Sequence, residues 1–191
     1  MMRENSREFL DADVYGKLKS LITHQIRARC RNFKISLTIN MKVTDKLTIT
    51  NEDNMELMAR YPDKYFDLAI VDPPYRDNNQ PTKDMRKNGS MLSLEGRPTQ
   101  EYFNELKRVS KNQIIWGANN FQLPQFFGFV VWKKLTISED FTMSMAEIAS
   151  LSEGLGTTSK IFELEPQGKK SDPRIHPTQK PIKLYKWLLS K

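Results

Sequence analysis

Phe66-Asp67-Leu68-Ala69-Ile70-Val71-Asp72-Pro73-Pro74-Tyr75 is the stretch whose reading decides the fold. Its first six residues are an apolar run of strand length, and the Asp-Pro-Pro break behind it marks a strand end rather than a helix. Upstream, KLTIT (46–50) reads as a strand and NMELMAR (54–60) as a short helix. Downstream, Pro98 and Thr99 open a helix with Tyr102, Phe103, Leu106 and Val109 on one face, followed by strands at QIIWG (113–117), GFVVW (128–132) and MAEIASLS (145–152). Such alternation predicts an α/β fold with a parallel-type sheet. Trp116 and Trp132 are expected in its core. The polar stretch Arg76 to Gly96 is a long loop, a candidate lid over a site. Glu153 to Arg174, rich in Gly, Ser, Thr, Pro and Lys, reads as a variable loop region. HPTQKPIKLYKWLLSK (176–191) begins as a proline-bounded loop and becomes a helix with Ile182, Tyr185, Leu188 and Leu189 aligned.

Residues 1–40 differ from the rest. They carry a basic helical pattern (Lys17, Lys19, Arg27, Arg29, Arg31, Lys34) with Leu18, Leu21, Ile22 and Ile26 at helical spacing. This suits either a DNA-contacting arm or a solvated helix packed on the domain. Met41 stands just before the first recognisable strand, so the expected division is a basic extension over 1–40 and a domain over 41–191. The net charge of +7 attracts a polyanion, which makes nucleic acid the first partner to consider, although many basic proteins bind none. One cysteine, Cys30, permits no internal disulfide, and His24 and His176 cannot build a zinc site with it, so no metal is expected. His176 is read as structural. No run approaches the roughly 18 apolar residues of a membrane span, and the N-terminus is too charged for a signal peptide, so a cytoplasmic protein without membrane partners is expected.

Asp72-Pro73-Pro74-Tyr75 falls beyond the carboxyl end of its strand, where open α/β sheets bind ligands. The prolines stiffen the turn and push Asp72 towards an extended conformation, presenting a carboxylate, a carbonyl and an aromatic ring together. An exocyclic amino group on a base is a poor nucleophile while its lone pair is delocalised into the ring. Accepting its two N–H groups on the Asp72 carboxylate and the Pro73 carbonyl would hold the nitrogen nearer tetrahedral and stabilise the positive charge that develops on it. Tyr75 would stack on the base. A base in a duplex reaches such a pocket only by flipping, at a cost of roughly a few kcal/mol. Asp and Pro are also ordinary turn residues, so the tetrapeptide alone suits a plain strand-ending turn.

The ordered pair DPPY (72–75) then HPTQKP (176–181), with IIWGANNF (114–121) between them, resembles the amino-methyltransferases of DNA. The likeness is closest to the phage and restriction-modification type, in which the catalytic motif precedes the cofactor motif. It covers about residue 46 to the end. It implies a Rossmann-like sheet and S-adenosylmethionine as cofactor. It also implies Asp72, Pro73, Pro74 and Tyr75 as catalytic residues and Thr178, Gln179 and Lys180 near the cofactor. Pro181 near a helix start, with exposed N–H groups beside Lys180, suits the carboxylate of an amino-acid-like cofactor; a proline-bounded cap with Lys180 in solvent is the plain alternative. Asp53 with Glu56 fits a helix cap, while the resemblance puts an acidic residue here near the cofactor's adenine or ribose. Asn119 could shape the base pocket or simply turn the chain.

The implied activity is adenine-N6 methylation of DNA, because Asp rather than Ser heads the motif; cytosine-N4 methylation and a catalytically inactive DNA-binding fragment are the alternatives. In the family order, a strand and a Phe-x-Gly-x-Gly loop follow HPTQKP. The chain ends at Lys191 without them, and Gly154 and Gly156 give only GLG in a loop with no strand running into it. The expectation is therefore an incomplete domain, its missing portion lying in a longer chain or a second subunit. Arg76 stands where the family commonly has a small residue, and Trp132-Lys133-Lys134 where it has Trp-Asp-Lys.

Overall fold

A computed structural model describes residues 39–44, 47–75, 96–166 and 179–191. The chain divides after Asn51 into two units. In the first, β1 (Ile39–Thr44) and β2 (Leu47–Asn51) form a two-stranded antiparallel sheet. Two expectations are corrected here. The first strand already includes Met41, and among the described residues the strand of KLTIT pairs with β1 and not with the parallel sheet. A strand signal is local, whereas its sheet is chosen by whichever partner is in reach. The basic pattern of residues 1–38 and the candidate lid over 76–95 lie outside the described residues.

The second unit begins with α1 (Asn54–Ala59) and β3 (Phe66–Val71), followed by α2 (Gln100–Val109) and β4 (Ser110–Trp116). Next come β5 (Gly128–Lys133), β6 (Ala146–Leu151), β7 (Lys160–Glu163) and α3 (Ile182–Leu188). Their order in the sheet is β3-β4-β6-β5-β7. β3 and β4 are parallel, as are β5 and β7, and β6 runs against both its neighbours, so one strand of the five is reversed. This mixed α/β sheet is compatible with a Rossmann-like fold. β7 lies inside the segment expected to be a loop. Its four residues alternate between half-buried and exposed, too short a signal to stand out from a polar surrounding.

Thr99 caps α2 by accepting the Tyr102 N–H at 3.4 Å, and the helix passes straight into β4. Lys64, in the left-handed region at φ 55°, closes the other end: its N–H reaches the Arg108 carbonyl at 2.7 Å and its ammonium the Lys107 carbonyl at 2.6 Å. A cation there complements the helix dipole. Phe103, Leu106 and Val109 pack with Met58 of α1 against Ile115 on one face of the sheet. The opposite face is built on Ile114, Trp116, Val130 and Trp132, covered by Leu184 and Leu188 of α3. The two tryptophans are thus core residues, as expected.

The stripe expected on the last helix is rotated. Ile182 and Leu189 are exposed and Leu184 is fully buried. Lys180, just before the helix, already points inward, and residues four and eight positions later continue that face. Gly154 and Gly156 also need correction, because β6 does run into them. Being reversed, however, β6 delivers them to the end of the sheet away from the carboxyl ends of β3 and β4. A 3-10 turn (Glu153–Leu155) follows, and the Asn112 side chain lies where a Cβ on Gly154 would be.

Candidate active site at the carboxyl ends of the sheet

The carboxyl ends of β3, β4 and β5 converge on one site, and the reversal of β6 brings its beginning there as well. β3 delivers Asp72, Pro73, Pro74 and Tyr75. β4 delivers Gly117 at φ 71°, opening the 3-10 turn Ala118–Asn120. A Cβ on Gly117 would collide with the Tyr75 ring, so glycine here both permits the left-handed turn and makes room for the tyrosine. β5 ends in Lys133 and passes to Lys134. In β6 the register Trp132↔Glu147 and Trp116↔Ala149 carries Glu147 beyond the end of β4, and the Gly117 N–H donates to the Ile148 carbonyl at 2.8 Å.

Into this ring comes Lys180 from the segment before α3, its side chain 2% exposed. Its three N–H donors meet three acceptors: Asp72 Oδ1 at 2.7 Å, Glu147 Oε2 at 2.8 Å and the Tyr75 hydroxyl oxygen at 2.8 Å. The ammonium also lies 5.2 Å from the centre of the Tyr75 ring and 5.1 Å from that of Trp116. Lys134, 7% exposed, holds the other oxygen of Glu147 at 2.6 Å and sits 5.3 Å from the Trp132 ring. The Tyr75 hydroxyl has one proton and two carboxylates in reach, Asp72 Oδ1 at 2.8 Å and Glu147 Oε2 at 3.1 Å; the shorter contact favours donation to Asp72. Among the described residues, two carboxylates and two ammonium groups meet here and balance in formal charge, all of them largely buried.

The two acids respond differently. Burial pushes the Asp72 carboxyl above the usual carboxylate range, against the pull of the Lys180 ammonium and the Tyr75 hydrogen bond. Burial also opposes ionisation of Glu147, but two ammonium groups outweigh it and hold this carboxyl down at about 2. Burial, followed by the neighbouring carboxylates, raises the Tyr75 phenol well above its ordinary range, so it stays protonated and able to donate.

Of the residues singled out from sequence, Asp72, Pro73, Pro74, Tyr75 and Lys180 come together. Pro73 is buried and Pro74 half-buried. Lys180 is neither in solvent nor turned towards an outside carboxylate: its three donors are taken by the protein's own groups. Asp53 is the α1 cap, its Oδ1 accepting the N–H groups of Met55 at 2.8 Å and Glu56 at 3.2 Å. Gln179 is half-buried beside Lys180, while Thr178 and His176 fall outside the described residues. Asn119 is exposed on the turn after β4. Two site residues escaped sequence reasoning. Glu147 is the lone charge in an otherwise uncharged strand, a signal that could have found it. Lys134 stood out only as part of Trp132-Lys133-Lys134, where nothing local says which of the two lysines turns inward to Glu147.

For S-adenosylmethionine the fit is one-sided. The described residues furnish acceptors for an amino group, but the three donors of Lys180 are already taken and leave none for a cofactor carboxylate. No metal-ligating group of three or more His, Cys, Asp or Glu exists among the described residues, and no helix among them is long and apolar enough to cross a membrane. No protein-family model matches the chain, and no curated protein matches it either.

Proposed function

We propose that this chain is the acceptor-binding part of a DNA amino-methyltransferase acting on adenine N6. The observation that carries the reading is the Lys180 ammonium, a tetrahedral, positively charged nitrogen held by Asp72, Glu147 and Tyr75 and lying near two aromatic rings. An exocyclic amino group takes on the same shape and charge as it is methylated, so a pocket that accommodates the first has the complementarity needed for the second. A target amine entering the site takes the place of Lys180 at Asp72. It donates its N–H groups to the Asp72 carboxylate and the Pro73 carbonyl, with Tyr75 against the base. Asp72, raised by burial, is a better proton acceptor for the product than Glu147. S-adenosylmethionine, when bound, supplies the methyl group on a sulfonium that leaves as a neutral thioether.

The test is to incubate the full chain with methyl-labelled S-adenosylmethionine and duplex DNA and to identify the methylated base. N6-methyladenine, lost in Asp72→Ala, supports the proposal; N4-methylcytosine alone moves the target to cytosine. A second reading, a DNA-binding chain without catalysis, is favoured by Lys180 itself, which occupies the acceptors an incoming amine would need. DNA binding with no transfer and no uptake of S-adenosylmethionine selects that reading.

A further inference from the structure

Beyond the turn after β4 lies a cleft of about 500 Å³, walled by Arg97, Gln100, Phe103, Asn119, Phe121 and Gln122. That volume is within the range of small-ligand sites, about 300 to 1,000 Å³. Its floor and rim are of different kinds. Phe103 is buried and Phe121 half-buried, their ring centres 5.3 Å apart. Gln100, Asn119 and Gln122 are exposed carboxamides, each offering both a donor and an acceptor. The Arg97 guanidinium is 6.0 Å from the centre of the Phe121 ring and is tied across the turn by a hydrogen bond to the Asn120 carbonyl. An aromatic face, amide edges and a guanidinium are what a nucleotide requires: stacking for the base, donors and acceptors for its edge, a cation for its phosphate.

The cleft and the lysine-filled pocket share a wall. Phe121 meets Tyr75 edge to face, ring centres 6.1 Å apart at 70°, so one tyrosine and one phenylalanine separate two neighbouring places for flat rings. We propose that this cleft is a nucleotide subsite that holds the nucleotide adjoining the amino-bearing base, its ring on Phe121 and its phosphate on Arg97. The assignment of the bound strand rests on the methyltransferase reading; the cleft's demand for a heteroaromatic ring with an anion does not. Nothing in such a site reads one base strongly over another, because every base has a face to stack.

A hexamer of thymidine separates the two sites, since thymine has no exocyclic amino group to offer Asp72. The full chain is titrated with this oligonucleotide at one fixed salt concentration, which matters because phosphate contacts weaken steeply with salt. Phe121→Leu keeps an apolar side chain but loses the flat face, and about a 10-fold loss of affinity is expected, the scale of one stacked base. Asn119→Asp, at an exposed position of the turn, adds a negative charge to the rim and is expected to weaken binding by a similar factor. Unaltered affinity in both Phe121→Leu and Asn119→Asp, or no binding of the hexamer by the native chain, overturns the subsite. If Asp72→Ala weakens binding of an adenosine hexamer while the cleft variants leave thymidine binding intact, the cleft has failed and the amino pocket stands.

Discussion

Lys133 and Lys134 are adjacent in sequence and belong to opposite electrostatic worlds. Lys133, the last residue of β5, faces outward and pairs at 2.8 Å with Glu163 of the edge strand β7, both side chains more than half exposed. Lys134 turns inward, is 7% exposed and pairs at 2.6 Å with Glu147. The distances are nearly the same and the consequences differ. At the edge, water screens each charge and the pair can come apart freely. At the carboxyl ends of the sheet each charge has given up its hydration and depends on its partner. Close contact is therefore a poor guide to energy; the surroundings of the pair decide.

The largest test of that contrast is Lys180→Met, which keeps the length of the side chain and removes the charge that Asp72 and Glu147 share. A loss of about 3–5 kcal/mol is expected, measured by urea unfolding, because two buried carboxylates are left facing one another. Near-native stability would mean that water reaches the site and the contrast with the edge is false.

Acid unfolding sharpens the comparison. Glu147 is depressed in the folded chain from 4.5 to about 2, so its contribution is complete above pH 4.5 and disappears as pH falls through about 2. That contribution is on the order of 3 kcal/mol, and Glu147→Gln should flatten the stability profile across this window. Asp72 has the opposite sign. Its raised folded-state value means that protonation favours the folded chain, so its burial penalty is relieved as pH falls towards the ordinary range near 3.8. Asp72→Asn should remove that relief and change stability at neutral pH less than Glu147→Gln does. A larger loss from Asp72→Asn would show that the Lys180 pairing outweighs burial at this carboxyl.

Smaller again is Gly117→Ala, which meets both the left-handed backbone and the Tyr75 ring and should cost about 1–3 kcal/mol. Tyr75 would have to move, a displacement visible in the near-ultraviolet circular dichroism. Least of all is Lys133→Ala, or Lys111→Ala at its exposed 2.6 Å pair with Asp67, each expected within about 1 kcal/mol of the native chain.

Much of the fold was legible in the chain. FDLAIV, QIIW, GFVVW and AEIASL are runs whose apolar content declares a strand within a few residues, and Thr99 followed by Phe103, Leu106 and Val109 declares a helix and its buried face. β7 was missed because four residues cannot establish a period, and the stripe of α3 was rotated because a seven-residue helix takes its orientation from what anchors its start. The site divides in the same way. Asp72 to Tyr75 could be found because two prolines after an apolar run are a local event.

Propensity, periodicity and turn chemistry act between residues a few positions apart, and they determined most of the strands, the helices and the break at Asp72 without any knowledge of the rest. They carry no information about which charges meet. Lys180 reaches Asp72 across 108 residues of chain, and Glu147 joins them because β6 is the reversed strand. A forward-running β6 would have carried that carboxylate to the other end of the sheet. Partnership among buried charges follows from strand order and direction, and so it arose only when the sheet was assembled.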